Sequence, residues 1–220
     1  MITRYVVDGP KGAGKTTLLF GESDDNESPK KTIKPNLSGL SFKCIREPAV
    51  SIYKELKQEG IHPIDNFELF VGKVVEKERE RYLKANKQNE IYFFDGSFHN
   101  WTYFKDNYNT KLPEWYDSFN GQVRYSNPIF LLSPILSLDL ISPKGEEFIT
   151  PITIKERINS YNIIKNSYSK LGYDIIEIPV YNDGNIKENN KKRIEHIMKE
   201  ITANNPNYID PLSKEFSKEF

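Results

Sequence analysis

Cysteine is nearly absent from this 220-residue chain, where Cys44 stands alone. A single thiol excludes a disulfide framework and a cysteine-based metal site, and it points to a reducing compartment. Net charge is absent too, because 31 Lys and Arg balance 31 Asp and Glu. Without net positive charge the chain lacks the broad electrostatic footprint of a nucleic-acid-binding protein, although a local basic patch fits the same balance. No apolar run approaches the roughly 20 residues that cross a bilayer. The first strand-like run opens at Thr3, which leaves no room for a signal peptide. Beyond the Ser-Lys-Glu-Phe pair at residues 213–220 there is no larger internal repeat, and there is no domain linker. These absences lead to the expectation of a cytoplasmic protein with no membrane partner. It has one domain over residues 1–203 and a C-terminal tail over 204–220.

What the chain does contain is concentrated near its start. Gly9-Pro10-Lys11-Gly12-Ala13-Gly14-Lys15-Thr16 is a complete G-x-x-x-x-G-K-T loop, with an apolar β-rich run before it and Thr17-Leu18-Leu19-Phe20 after it. Glycines let such a loop curl until successive backbone N–H groups face one anion, and the helix that follows turns its positive end to the same anion. In this pattern Gly9, Lys11, Gly12, Ala13, Gly14, Lys15, Thr16 and Thr17 hold a nucleoside triphosphate. Lys15 reaches the β- and γ-phosphates, and the Thr16 hydroxyl ligates Mg2+.

Strand-like and helix-like segments alternate from there. Candidate strands are Thr3–Asp8, Ser41–Arg46, Glu90–Asp95, Pro128–Leu132 and Asp174–Pro179. Each is short and apolar with little polar alternation, as strands covered on both faces are. Candidate helices are Gly14–Phe20, Val50–Glu59, Asp65–Lys84, Asn100–Tyr108, Ile152–Leu171 and Asn185–Thr202. This alternation predicts a parallel α/β sheet with ligands at the carboxyl ends of its strands. Two stretches interrupt it: the polar segment Gly21–Gly39, read as a surface loop, and the proline-rich segment 133–152, read as a lid.

Two carboxylates close neighbouring strands. Asp95 ends the apolar run Ile91–Phe94 as a Walker B aspartate does, and so joins Thr16 as a metal ligand. An Asp-Gly turn after a strand is itself common. Glu47 precedes Pro48, where the chain must leave the sheet, and a carboxylate there can orient or deprotonate an attacking hydroxyl. On the dipeptide alone, an exposed Glu before a structural proline is the commoner arrangement. Lys144 in the lid and Arg157 just after it are the cations placed to approach transferring phosphates, with Lys155 in the same group. His99 reads as a hydrogen-bonded scaffold residue. The aromatics Phe98, Trp101, Tyr103 and Phe104 suit core packing at least as well as stacking on a planar substrate.

The glycine-rich loop, Arg46-Glu47-Pro48, Asp95-Gly96-Ser97 and a late lid together resemble the thymidylate kinase and deoxynucleoside kinase branch of phosphate-loop kinases. Over nearly the whole chain there is also a resemblance to the small AAA-type ATP-binding domains, a family that includes a ribosylnicotinamide kinase. It is carried by the loop, Glu47-Pro48, Phe93-Phe94-Asp95-Gly96 and Lys170-Leu171-Gly172-Tyr173 ahead of Ile175–Pro179. The resemblance implies a three-layer α/β/α fold with a five-stranded parallel sheet in the order 2-3-1-4-5, and adenine near Val180–Asn185. It implies ATP and Mg2+ as cofactors, Lys15, Glu47 and Asp95 as catalytic residues, and a nucleoside or nucleotide as phosphate acceptor. Gly96 departs from the pattern, since the related kinases carry an arginine there, and in place of an arginine-rich lid the chain has Lys144 within the lid and Arg157 just after it. An ATP-binding switch read by a partner is the alternative, and a polynucleotide 5′-kinase is a third reading that zero net charge disfavours. Self-association as a homodimer stays open.

Overall fold

The computed structural model describes residues 2–20, 41–88, 90–136, 153–182 and 184–204. The polar segment 21–39, Lys144 with most of the expected lid, and the tail beyond 204 lie outside the described residues.

The strands are β1 (Thr3–Asp8), β2 (Ser41–Ile45), β3 (Glu90–Asp95), β4 (Ile129–Leu132) and β5 (Ile175–Ile178). They form one sheet in the order β2-β3-β1-β4-β5, and every neighbouring pair is parallel. This is the order that the resemblance implied. In register, Val7 lies beside Asp95 and Ile45 beside Phe94, so β1, β2 and β3 finish at nearly one level. Parallel strands all deliver their carboxyl ends to the same edge, and Asp8, Glu47 and Asp95 therefore gather there.

Side chains alternate between the two faces of the sheet. Tyr5, Val7, Ile91 and Phe93 pack with Leu18 and Leu19 of α1 (Lys15–Phe20) and with Ile197 and Ile201 of α7 (Ile186–Asn204). Val6, Tyr92 and Phe94 take the other face. They meet α2 (Ala49–Gln58), α3 (Phe67–Lys84), α4 (Asn100–Tyr108), α5 (Tyr116–Asn120) and α6 (Ile154–Lys170) through Leu56, Val74, Trp101, Tyr116 and Tyr168. Three layers result. Each fully buried Val, Leu, Ile or Phe contributes about 1.5–3 kcal/mol of hydrophobic stabilisation.

Local chemistry sets the helix ends. Thr153 caps α6, accepting from the Glu156 amide at 3.2 Å while Glu156 accepts from the Thr153 amide at 2.7 Å. Gly172, at φ 78°, follows the last turn of that helix. The apolar periodicity of α3 runs through Phe70, Val71, Val74 and Val75, which are all buried. α5 was not expected. At five residues it is too short to show a helical period, and it is held by Tyr116, whose ring stacks on Phe98 at 4.9 Å between centroids.

Candidate active site

The phosphate loop begins where β1 ends. Gly9 has φ 149°, and a Cβ there would lie 2.7 Å from the Leu132 carbonyl oxygen, so only glycine fits against β4. Gly12 and Gly14 take left-handed backbone at φ 79° and 84°. Left-handed residues alternating with Ala13 and Lys15 build the concave run of N–H groups that suits an anion. Lys15 folds over the loop, its Nζ donating to the carbonyls of Gly9 at 2.6 Å and Pro10 at 3.3 Å. Partial desolvation draws the Lys11 ammonium below its ordinary pKa. Thr17 is half-buried.

The two expected metal ligands meet. Thr16 Oγ1 donates to Asp95 Oδ2 at 2.7 Å. Asp95 is 3 % exposed, and its other carboxylate oxygen has no hydrogen-bond partner. Burial raises its pKa, against the opposing pull of Lys15 and of the Thr16 hydroxyl. A buried carboxylate oxygen without a partner is costly unless something else lands on it. Mg2+ suits this donor set, a hydroxyl and a carboxylate beside a phosphate cradle. Among the described residues no group of three or more His, Cys, Asp or Glu could hold a metal ion. An ion here would draw its remaining ligands from phosphate oxygens and water.

Beside Asp95 opens a narrow cleft whose walls carry Arg46, Glu47, Glu78, Arg81, Ser97 and Tyr125. Glu47 leaves β2 as Pro48 caps α2. It is exposed to solvent at the mouth of the cleft, although neighbouring protein crowds its carboxyl. That crowding raises its pKa to about 7, chiefly through desolvation and then through the charge of Asp95, with Lys15 pulling the other way. Water in the mouth screens part of these interactions.

Glu78 accepts from the Trp101 indole N–H at 2.6 Å, and burial followed by the nearby Glu47 charge holds its pKa well above the usual carboxylate range. Arg81 Nη1 is buried and has no hydrogen-bond partner. The Arg46 guanidinium lies over the Phe20 ring, 4.7 Å from its centroid. Gly96 has φ 76° and donates its N–H to Val7 O at 3.0 Å. A longer side chain would be strained on that left-handed backbone. Arg46 and Arg81 are the cations that line the cleft.

Other expected residues fall elsewhere. Arg157 differs from its expected place beside the phosphates. The Thr153 cap puts it in the first turn of α6, where it is 4 % exposed and donates through Nη1 to Ile135 O at 2.8 Å. The guanidinium serves backbone there. Lys155 is exposed, and Lys144 lies outside the described residues. His99 is buried, with its two ring nitrogens against Asn120 at 2.7 Å and Tyr173 at 3.2 Å. Phe98 and Trp101 belong to the core. The stretch after β5 is pinned to α7, with the Tyr181 amide donating to Asn189 Oδ1 at 2.8 Å.

Three residues that sequence reasoning passed over stand close to the loop. Asp8, 1 % exposed, accepts from the Gly9 amide at 2.7 Å, from Asn100 Nδ2 at 2.9 Å and from the Tyr168 hydroxyl at 2.6 Å. It therefore ties the loop to α4 and α6. Its signal was available, since Asp8 ends an apolar strand just as Asp95 does. Glu78 and Arg81 also had one. They continue the α3 stripe of Val71, Val74 and Val75 at three- and four-residue spacing, so polar residues stand where the apolar face should go on.

Comparison with known proteins agrees with this architecture. A family model described as an AAA domain matches residues 4–188. No curated protein matches the chain in sequence. Among solved structures, thymidylate kinase from Ehrlichia chaffeensis is similar with a TM-score of 0.50 and 13 % sequence identity, over 90 % of this chain and 98 % of that one. At that identity the likeness speaks for the fold. The family match spans the phosphate loop, all five strands and the cleft between them, and on that ground the chain belongs to the AAA-domain family of nucleotide-binding phosphate-loop proteins.

Proposed function

We propose that the chain is an ATP- and Mg2+-dependent kinase that moves the γ-phosphoryl group to a hydroxyl of a small acceptor, a nucleoside or nucleotide. The observation that carries this reading is the position of Glu47. A carboxyl with a pKa near 7 stands in a cleft that adjoins the Thr16–Asp95 contact and feels the charge of Lys15. A plain NTPase has no need of such a cleft, or of a base poised near neutrality inside it.

In the proposed reaction the phosphate loop binds the triphosphate, and Lys15 exchanges its contacts with Gly9 and Pro10 for phosphate oxygens. Thr16 and Asp95 would hold Mg2+, which when bound neutralises charge on the β- and γ-phosphates. Glu47 takes the proton of the acceptor hydroxyl as the new P–O bond forms. The bond from the γ-phosphorus to the β–γ bridging oxygen breaks, and ADP departs with the electron pair. Glu78, fixed by Trp101, and the unpartnered Arg81 Nη1 orient the acceptor. Arg46 and Arg81 favour an acceptor that carries negative charge.

The test is transfer from γ-labelled ATP across a panel of nucleosides, nucleotides and ribosides, with Lys15→Ala as the inactive control. A labelled acceptor supports the reading. Free phosphate with no labelled acceptor anywhere in the panel refutes it and leaves the switch.

A further inference from the structure

α7 carries a guanidinium sealed in the interior. Arg193 is 0 % exposed and donates from three nitrogens to three backbone carbonyls. Nη1 reaches Ala13 O at 2.6 Å, Nη2 reaches Ser133 O at 2.7 Å, and Nε reaches Pro179 O at 2.9 Å. These carbonyls belong to the phosphate loop, the exit of β4 and the exit of β5, segments more than forty residues apart in the chain. The residue also stands directly beneath the loop, because a Cβ on Gly14 would come within 3.9 Å of Nη1. Arg157 extends the device from α6, its Nη1 on Ile135 O two residues beyond Ser133. Burying a guanidinium is expensive unless its donors are satisfied, and a planar fork meets carbonyls set around its rim in a way that an ammonium cannot.

We propose that Arg193 is a positioning residue for triphosphate binding. Its hold on Ala13 O keeps that carbonyl turned into the core, so the N–H groups around it stay on the open side of the loop. Its hold on Ser133 and Pro179 sets the distance from the loop to the two segments that leave β4 and β5. The loop is thereby preorganised, and the nucleotide need not order it. This inference rests on the nucleotide-binding reading of the loop.

The test compares wild type with Arg193→Lys, which keeps the charge and removes the fork. Binding of ATP with Mg2+ is measured by calorimetry, melting is followed without nucleotide, and ATP turnover gives KM and kcat. In the variant, ATP should bind about tenfold or more weakly and KM for ATP should rise in step, while kcat at saturating ATP stays within about threefold. A variant that melts lower yet binds ATP as wild type does would make Arg193 structural only and overturn the proposal. Should Arg193→Lys fail to fold, the wild-type protein decides, through hydrogen exchange at the Gly12, Ala13 and Gly14 amides without nucleotide. These amides should already be ordered before ATP is added, and a loop that becomes ordered only when ATP binds refutes the preorganisation. Wild type that fails to bind ATP at all would instead refute the reading of the loop itself.

Discussion

Glu47 titrates, on its surroundings, near pH 7, where an unperturbed glutamate has 4.5. If it is the base, kcat/KM must fall on the acid side with an apparent pKa above 4.5 and at most about 7, because Mg2+ on Asp95 offsets part of the charge that raises it. At that upper limit the base is about 10 % ionised at pH 6, so activity there falls to no less than about a tenth of the plateau. With an ordinary glutamate the same measurement would keep almost the whole rate. The assay is initial-rate transfer from pH 5 to 9 at constant ionic strength. ATP binding is measured at each pH, because phosphate groups also titrate near 6. Asp95 is the largest charge acting to raise the pKa, so Asp95→Asn should move the carboxyl titration toward acid. That shift can be read by 13C spectra of the Glu47 carboxyl without any acceptor present. Linkage supplies a second reading. The folded chain keeps this proton up to about pH 7, whereas the unfolded chain loses it near 4.5, so stability from this group is complete at low pH and is lost as pH rises through 7. Glu47→Gln should therefore gain stability relative to wild type on going from pH 5 to pH 8. A 13C midpoint close to 4.5, or a flat profile of kcat/KM between pH 5.5 and 8, would refute the argument.

Two further outcomes concern the loop and its support. Gly9→Ala forces a Cβ to within 2.7 Å of the Leu132 carbonyl at φ 149°, and strain with overpacking should cost about 3 kcal/mol in urea unfolding. A loss under about 1 kcal/mol would mean that β4 yields more readily than its packing implies. Tyr168→Phe removes the 2.6 Å hydroxyl contact to Asp8, while Asn100 and the Gly9 amide still donate to it. A loss of about 1.5–3 kcal/mol is expected for a hydrogen bond to a charged group, and unchanged stability would mean that Asp8 does not depend on Tyr168.

The parallel strands were legible because burial on both faces leaves unbroken apolar runs. β1 and β3 matched their expected bounds, β2 and β4 differed by a residue at one end, and β5 by a residue at each end. The phosphate loop was legible because its glycines have little other use in that order. Glu78 and Arg81 were harder to read, since Lys-, Glu- and Arg-rich helix positions look like a solvated face until the stripe is followed past Val75. Arg193 gave no signal at all. It sits in a Lys-Lys-Arg run on a charged helix, and only the convergence of three distant segments shows that it points inward. Arg157 was misplaced for a related reason, because sequence shows where a cation lies along the chain and not which way a helix turns it.

The level finish of β1, β2 and β3 bears on how such a protein can change over time. Val7 lies beside Asp95, and Ile45 beside Phe94. Because neighbouring residues in a strand face opposite ways, deleting one residue within β3 would carry Asp95 away from Thr16 and turn the strand's apolar set over. Insertions before Ser41 or after Tyr108 displace none of these pairings. Lineages of this fold should accordingly tolerate length variation between strands and reject it within them.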